Sequence, residues 1–302
     1  MVNPDLSIII PSYNTKQVTL DCLYSIYKFT KELNYEIIVV DNGSKDGSVE
    51  ALKKYSQEYT NFKIIDAQEN LGFGKANNLG VKNAKGKYLL FLNSDTIIFD
   101  NALKVSLDNA KELKDLGVYS CRLLNKDKSI QPSGGHFPNL LNLFAWQLFI
   151  DDLPLVGSLI PSIHPQKSSY NSHQNLDWVT GAFMIIPKEA FEEVGGFDEK
   201  IFMYTEEIEL VYRLHKRGYR CFLQNSPAII HLGGASSGSY LALTSEIKNM
   251  IYFWNKHKPK WQLPIAKILF FVGSLLRWLL FGIIKQDETR RRAYASALRD
   301  II

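Results

Sequence analysis

Short apolar runs and amphipathic stretches alternate along the first part of the chain. The apolar runs are rich in β-branched residues and end in polar groups, which is typical of buried strands, whereas the stretches between them carry apolar residues at helical spacing. We predict strands over residues 7–11, 36–41, 62–67 and 88–92, and helices over residues 15–30, 46–59, 75–84 and 102–113. This alternation predicts an α/β fold with a mostly parallel sheet flanked by helices.

The pattern becomes irregular between residues 136 and 173, where four prolines interrupt the chain around a strongly apolar piece at 140–150. Two interpretations stay open for this segment, a flap that faces substrate or membrane and a plain core helix with its loops. Regular elements return as a predicted strand over 179–187 and helices over 188–194 and 206–217. Gly218 is a suitable residue to end the last of these helices.

Polar residues follow two of the predicted strands directly. Asp41 comes after the second strand, and Asn93, Ser94 and Asp95 come after the fourth. Open α/β sheets bind ligands at the carboxyl ends of their strands, and a carboxylate there can hold a metal ion. By itself, Asp41 is better explained as a turn or helix cap, because Asp favours such positions.

Two further groups carry titratable side chains. Glu206, Glu207 and Glu209 stand at a predicted helix start, where they either interact with the helix dipole or form a partly buried cluster suited to a general base. His231 follows an apolar run and is by itself either a core histidine or a metal ligand. The glycine-rich stretch at 72–74 lacks the third glycine of a dinucleotide-binding fingerprint and follows the wrong strand for one.

Composition narrows the class of protein. The chain has 302 residues, 46% of them hydrophobic, as expected for a globular core. Its three cysteines are isolated from one another, which argues against a disulfide framework and suits a reducing compartment. The first residues show no signal-peptide pattern, so we expect the protein to stay inside the cell.

Positive charge is concentrated at the end of the chain. From Lys256 onward ten Lys and Arg residues face three acidic ones, a local charge of +7, whereas the whole chain carries +4. A mildly acidic body with a basic tail and no nucleic-acid-binding motif does not predict a nucleic-acid partner.

The tail contains a mostly apolar stretch at 262–284 in which Lys267 and Arg277 interrupt any clean run of about 20 residues. At about 100° per residue, Lys267, Ser274, Arg277 and Lys285 fall within an arc of roughly 80°, which would give the helix a polar side. The pattern favours a helix lying in the membrane interface over a buried or oligomer-forming helix and over a tilted span.

Seven motifs occur in an order that resembles the family 2 glycosyltransferases, inverting enzymes of the GT-A fold. The resemblance runs from about residue 6 to about residue 237. The motifs are SIIIPSYN, IIVVDNGSKDGS, NLGFGKANN, FLNSD, GAFMIIPKEAFEEVGGFDE, TEEIELVYRL and IHLGG. The implied fold is a Rossmann-like, mostly parallel sheet flanked by helices, followed here by a helical tail.

The resemblance implies roles for individual residues. The nucleotide base and ribose would be held by Pro11, Tyr13 and Asp41, with Asp41 accepting from a pyrimidine imide. The donor pocket would be shaped by Asn70, Gly72, Phe73 and Asn77.

Asn93-Ser94-Asp95 stands where the family has its DxD motif, so Asp95 and His231 are implied to bind Mg²⁺ or Mn²⁺ beside the donor. Asn93 replaces the first acid of that motif. Glu206 and Glu207 match the family's Glu-Asp pair, whose second member is the usual base.

The implied function is inverting transfer of a sugar from a dTDP- or UDP-sugar to a glycan or lipid-linked acceptor. The pattern looks most like bacterial rhamnosyltransferases of surface-polysaccharide assembly, such as O-antigen synthesis. We expect a catalytic domain over 1–255, with donor and acceptor halves at about 1–135 and 136–255, and a tail over 256–302 that binds an anionic membrane from the cytoplasmic side. The alternatives are a catalytically silent sugar-nucleotide-binding scaffold and a nucleotidyltransferase.

Overall fold

The structure is a computed structural model that describes residues 3–153, 159–165, 170, 176–233 and 239–301. Parts of the predicted flap, residues 154–158, 166–169 and 171–173, lie outside the described residues. Contacts within the chain divide it into two compact units. The first unit comprises the described residues within Met1–Gly134, Lys167–Phe202 and Glu206–Ser236, and the second those within Gly135–Gln166, Met203–Thr205 and Ser237–Ile302.

The first unit begins with the predicted alternation of strands and helices. Its elements up to the fourth strand are β1 (Leu6–Ser12), α1 (Lys16–Phe29), β2 (Tyr35–Asp41), α2 (Ser48–Glu58), β3 (Phe62–Asp66), α3 (Phe73–Val81) and β4 (Tyr88–Leu92). Each predicted strand and helix is present, with bounds that differ by at most a few residues. Buried aliphatic side chains on β1, β2 and β4 form one core cluster with residues of α1. These strands read as continuous apolar runs because both faces of a parallel sheet are covered.

The second part of this unit completes the sheet. Its elements are β5 (Thr96–Ile97), α4 (Ala102–Lys111), β6 (Leu116–Leu124), β7 (Gly134–Gly135), β8 (Trp178–Val179), β9 (Phe183–Pro187), α6 (Lys188–Glu193), α7 (Glu206–Lys216) and β10 (Arg220–His231), with α5 of the second unit between β7 and β8. The eight-stranded sheet has the order β3-β2-β1-β4-β9-β6-β10-β5, and β7 and β8 form a separate pair.

Three strands of this sheet, β6, β9 and β10, differ from the sequence prediction. The strand predicted over 179–187 is two strands, and β9 runs antiparallel to both β4 and β6. The long strands β6 and β10 were not predicted. β10 contains Pro227 and a register shift between Gln224 and Ala228, so it lacks the regular alternation that marks a strand.

The second unit is helical. It contains α5 (Leu140–Gln147), α8 (Ser239–His257), α9 (Gln262–Leu279) and α10 (Glu288–Ile301), and α9 continues into a π-helical turn, Leu280–Ile284. Trp254 of α8 is fully buried and packs edge to face on Phe270 of α9, with ring centroids 6.0 Å apart. The helices of the predicted tail thus share one core with α5 and α8. The assignment of donor and acceptor halves within 1–255 stays a prediction.

Candidate functional site

The carboxyl ends of β1, β2 and β4 lie side by side, since β1 stands between the other two in the sheet. Ser12 at the end of β1 pairs with Asp41 at the end of β2. Thr15, just beyond β1, has its Oγ1 3.4 Å from Oγ of Ser94, just beyond β4. The polar segments that follow these strands therefore meet at one edge of the sheet.

Asp41 is fully buried at this edge. Its Oδ1 accepts a hydrogen bond from the backbone N–H of Ser44 at 2.8 Å, as a turn cap would, but its Oδ2 has no partner. Burial raises the pKa of this carboxyl, and the nearby carboxylates of Asp66 and Asp46 raise it further. A buried acceptor without a partner is costly, so Oδ2 is suited to a hydrogen-bond donor from a ligand.

Two buried amides share this property. Asn77 donates from Nδ2 to the carbonyl oxygen of Phe73 at 3.0 Å, and Asn42 donates to that of Gly72 at 3.5 Å. The Oδ1 atoms of both amides are buried without a partner. Asn42 was not among the predicted site residues, although it directly follows Asp41 in the sequence.

The loop before α3 makes a close approach that requires glycine. Gly72 has φ +79°, and a Cβ atom there would lie 2.1 Å from the carbonyl oxygen of Phe202. That oxygen accepts from the backbone N–H of Phe73 at 2.9 Å, and Oδ1 of Asn70 accepts from the N–H of Gly72 at 3.0 Å. These bonds fix the predicted donor-pocket residues at the start of α3. Pro11 and Tyr13 lie half-buried at the end of β1 and just beyond it.

Asp95 and His231 are brought together by the pairing of β5 with β10. Thr96 pairs with His231 across these antiparallel strands, and the backbone N–H of Leu232 donates to the carbonyl oxygen of Asp95 at 2.9 Å. Nε2 of His231 then lies 3.1 Å from Oδ1 of Asp95 and 3.2 Å from Nδ2 of Asn93. Two side chains separated by more than a hundred residues thus form one polar group.

Gln131 holds the other side of this histidine. Its Oε1 lies 2.7 Å from Nδ1 of His231, and its Nε2 donates to the histidine's carbonyl oxygen at 3.3 Å and to Oδ1 of Asn125 at 2.9 Å. Because Oε1 only accepts, this contact favours a proton on Nδ1, and Nε2 would then be available to ligate a cation beside Oδ1 of Asp95. Nothing in the sequence around Gln131 signals this role, since the contact is made only in the folded chain.

This group fits a divalent cation that takes most of its ligands from a substrate. Among the described residues, no group of three or more His, Cys, Asp or Glu side chains could hold a metal ion. Asp95 and His231 supply one carboxylate oxygen and one imidazole nitrogen. Mg²⁺ in nucleotide sites takes one or two carboxylates together with substrate phosphates, and Asp95 supplies one such carboxylate.

The three glutamates at the start of α7 have different surroundings. Glu206 is 4% exposed, its Oε2 has no partner, and burial together with the neighbouring Glu207 raises its pKa well above the usual range. Glu207 is half-buried. Glu209 is fully buried and accepts two hydrogen bonds of 2.9 Å from Nε of Arg213, so it serves the fold.

Solved structures with this fold are glycosyltransferases. The chain resembles the mannosyltransferase PcManGT from Pyrobaculum calidifontis in complex with GDP-Man and Mn²⁺, with a TM-score of 0.58, 14% identity and coverage of 100% of this chain and 86% of that one. It also resembles S. aureus TarS 1–349, with a TM-score of 0.54, 15% identity and coverage of 98% and 80%. These similarities confirm the GT-A fold.

Comparison of the sequence with family models shows which family the chain belongs to. The model described as "Glycosyl transferase family 2" matches residues 7–195, more than half of the chain. The chain therefore belongs to glycosyl transferase family 2 and is a glycosyltransferase, as the motifs predicted.

Two curated relatives add detail. The N-acetylglucosaminyl-diphospho-decaprenol L-rhamnosyltransferase of Mycobacterium tuberculosis is 26% identical over 269 residues, which cover 82% of this chain and 80% of that protein. The poly-beta-1,6-N-acetyl-D-glucosamine synthase of Staphylococcus aureus is 27% identical over 215 residues. Those residues cover 71% of this chain but about half of the relative, 47%.

Proposed function

We propose that this protein transfers a sugar, rhamnose in our preferred assignment, from a nucleotide-diphosphate donor to a glycan or lipid-linked acceptor with inversion at the anomeric carbon. The observation that carries the proposal is the contact between Asp95 and His231, 3.1 Å apart at the carboxyl edge of the sheet. Ligands of open α/β sheets bind at this edge. Membership of the family supports the reaction type.

The nucleotide would bind where buried acceptors have no partner. Oδ2 of Asp41 would accept from the imide N–H of the pyrimidine of a dTDP- or UDP-sugar, and Pro11 and Tyr13 would flank the base and ribose. Asn70, Gly72, Phe73 and Asn77 would shape the pocket, and Asn93 and Ser94 would contact the donor beside Asp95. The free Oδ1 atom of Asn77 gives this pocket an acceptor for a ligand hydroxyl.

A divalent cation, Mg²⁺ or Mn²⁺, would be held by Asp95 and His231. When bound, it would neutralise charge on the leaving diphosphate. Two structural neighbours, PcManGT and GalNAc-T7, have Mn²⁺ in their complexes, which supports the choice of a divalent ion. Nε2 of His231 is oriented for this role by Gln131.

The acceptor hydroxyl would lose its proton to Glu207, the second member of the Glu206-Glu207 pair. Glu207 is half-buried, so an acceptor can reach it, whereas Glu206 is almost fully buried. A single displacement with a general base forms the new glycosidic bond on the face opposite to the departing diphosphate, which inverts the anomeric carbon.

The rhamnosyl and lipid-linked assignments come from the mycobacterial relative, whose name describes rhamnosyl transfer onto a decaprenol-linked acceptor. We propose that this chain likewise acts in cell-surface polysaccharide synthesis, for example of O-antigen, at the cytoplasmic face of the membrane. A lipid-linked acceptor would require the enzyme to work at a membrane surface.

The test is transfer itself. Purified protein is incubated with a panel of dTDP- and UDP-sugars, Mn²⁺ and a lipid-linked acceptor analogue, and the anomeric configuration of the product is read by NMR. We expect transfer with inversion, its loss in excess EDTA and its loss in Asp95→Ala. The isosteric Asp95→Asn is the matched variant, which keeps the size of the side chain but not its charge. Turnover that continues in excess EDTA would refute the metal role.

A catalytically silent sugar-nucleotide-binding protein is the second candidate, because Asn93 replaces the first acid of the metal motif. Donor binding without donor consumption across the panel would favour it. Hydrolysis or transfer of the donor would exclude it.

A further inference from the structure

The outward face of α9 is apolar along its length. Six exposed aliphatic side chains fall within an arc of about 100° on this helix. They are Ile265, Ile268, Val272, Leu275, Leu276 and Leu279. No charged residue lies within this arc, which is unusual for a helix face in contact with water.

The opposite face of α9 is buried and carries polar groups as well as Ala266 and Phe270. Gly273 and Arg277 contact α5, and a Cβ atom at Gly273 would lie 1.9 Å from Oε1 of Gln147. Nη1 of Arg277 donates to the carbonyl oxygen of Gln147 at 2.8 Å, and Nη2 donates to that of Trp146 at 2.6 Å. Burial lowers the pKa of this guanidinium. The helix therefore buries an arginine while it exposes its aliphatic side chains.

Two residues of the predicted polar side of this helix, Ser274 and Arg277, are buried, and Arg277 bonds to α5. The polar arc predicted from the sequence is therefore split, because packing within the second unit covers part of it.

The neighbouring helix α5 also exposes apolar side chains. Leu143 and Ala145 are buried together with Asn142 and Gln147, and Asn142 takes part in a capping box with Asn139. Leu141 is 61% exposed and Phe144 is 43% exposed. The packing of α5 on α9 thus places two apolar helix faces in the same unit.

Basic residues stand at both ends of α9. Lys256 and Lys260 are exposed before the helix, and Lys285, Arg290 and Arg292 are exposed after it. Arg290 and Arg292 also pair with Asp287 and Glu288, which leaves a net positive charge at this end. In the described part of the chain, Gln262–Ile284 is also the one helix that is long and apolar enough to cross a membrane by length and composition. Apolar surface framed by cationic side chains is complementary to a bilayer with anionic headgroups.

We propose that the outward faces of α5 and α9 form a lipid-immersed surface, on which the second unit lies in the interface of an anionic membrane. This inference rests on the proposed membrane-associated function and specifies which surface makes the contact. Immersion of one face explains why the exposed arc of α9 carries aliphatic side chains and no charged residue.

A helix that spans the bilayer fits these observations less well. α8 and α10 both pack on α9, and α10, which turns back along α9 after a short connection, exposes Arg299 and Asp300 in its last turn. A spanning α9 would bring these charges into the hydrocarbon, where they are costly. A second copy on a two-fold axis also fits less well, because basic residues stand at both ends of the face and would meet one another.

The first experiment measures cosedimentation of the full chain with vesicles of equal parts phosphatidylglycerol and phosphatidylcholine. Ile268→Glu/Leu276→Glu should lower the membrane partition coefficient at least about tenfold, because two aliphatic side chains lose their burial. Val105→Glu is the matched control, since Val105 is an exposed aliphatic residue of the first unit, and it should bind as the wild type does. High salt should weaken wild-type binding.

The second experiment reports the environment of the face directly. Ile268→Cys and Val105→Cys are labelled with an environment-sensitive fluorophore. Burial raises the pKa of the three native thiols, so they react slowly at neutral pH. Vesicles should shift the label at position 268 to the blue and allow its quenching by nitroxide-labelled acyl chains, with no change at position 105.

Several outcomes would contradict the proposal that this surface is immersed in lipid. Unchanged vesicle binding by the double variant, or an unquenched label at position 268, would do so. A wild-type dimer in light scattering that the double variant disperses would assign the face to a second copy instead. Circular dichroism and thermal unfolding establish that the variant is folded.

Transfer to a water-soluble acceptor analogue separates this inference from the proposed function. The double variant should retain that activity at the wild-type level. If the wild type binds vesicles through this face but transfers no sugar, the proposed function fails and the lipid-immersed surface stands.

Discussion

Two carboxylates in the described part of the first unit are buried with one oxygen left without a partner, at Asp41 and at Glu206. Burial raises the pKa of each, and each lies on a segment that the family resemblance assigns to the reaction. A folded protein tolerates such a group at a cost to its stability, which is common at functional sites. The two residues therefore lead to predictions about pH and about turnover.

Glu206→Gln should make the free energy of unfolding less dependent on pH. The pKa of Glu206 is raised in the folded state, so its protonated form contributes stability that is fully present below the ordinary pKa of Glu and is lost as pH rises through the folded value. The glutamine variant has no such loss. Its stability relative to the wild type should therefore increase with pH across that window. Denaturant unfolding at several pH values measures this, and a constant difference would contradict it.

Glu207→Gln should lower kcat by at least about a hundredfold while donor binding stays nearly intact, because a general base acts on the chemical step. Glu206→Gln is the neighbouring control. Initial rates and donor titrations give both quantities. A larger kcat loss in Glu206→Gln would transfer the role of base to Glu206.

Gln131→Leu should weaken Mn²⁺ binding in the presence of nucleotide by about 10–100-fold, the usual effect of removing a residue that orients a ligating histidine. Calorimetry measures the affinity. Nitrogen NMR of His231 should show the proton leaving Nδ1, a change that a purely structural role would not produce. Gln131→Glu keeps an acceptor for Nδ1 and should preserve the tautomer.

At the scale of elements, the turn into α3 depends on one glycine. Gly72 and Gly195 both have φ near +80°, but a Cβ atom meets the carbonyl oxygen of Phe202 at Gly72 and nothing within 4 Å at Gly195. Alanine at Gly195 therefore reports backbone strain alone, whereas alanine at Gly72 reports backbone strain together with steric overlap.

Gly195→Ala should cost about 1–2 kcal/mol, the usual penalty of a left-handed conformation for an L-residue. Gly72→Ala should cost about 1–3 kcal/mol more and weaken donor binding, because the loop must shift. Thermal unfolding and nucleotide titration of both variants measure these effects. Equal stability losses in the two variants would contradict this prediction. They would show that the loop moves away from the carbonyl oxygen of Phe202 at no cost in stability.

The elements also show the limits of sequence patterns. β1 to β4 were predicted because each has a short apolar run, β-branched in β1 to β3, next to a helix with regular apolar spacing. β10 was not, since Pro227 and its register shift interrupt the alternation. The antiparallel direction of β9 could not be predicted either, because strand direction depends on pairing with β4 and β6 and not on the local pattern.

At the scale of the whole molecule, ligand binding should be visible as stabilisation of the folded chain. UDP or dTDP with Mn²⁺, each near 100 times its Kd, should raise the unfolding temperature by roughly 5 °C, since such a ligand contributes about 2.7 kcal/mol. The nucleotide alone or Mn²⁺ alone should raise the unfolding temperature by less. ADP with Mn²⁺ is the matched control, because adenine has no imide N–H for Asp41. An equal shift with ADP would argue against base recognition by this carboxylate.

The sequence by itself determined the alternation of β1 to β4 with their helices, the family, and the placement of Asp41 and Asp95 at strand ends. These features are local, because each depends on residues that are close together in the sequence. Only the tertiary structure decided the contact of His231 with Asp95 and Gln131, because that contact depends on the pairing of β10 with β5. It also decided which side of α9 faces outward. An apolar stripe shows that a helix has two different faces, but the packing of α5 against Gly273 and Arg277 determines which of them is buried.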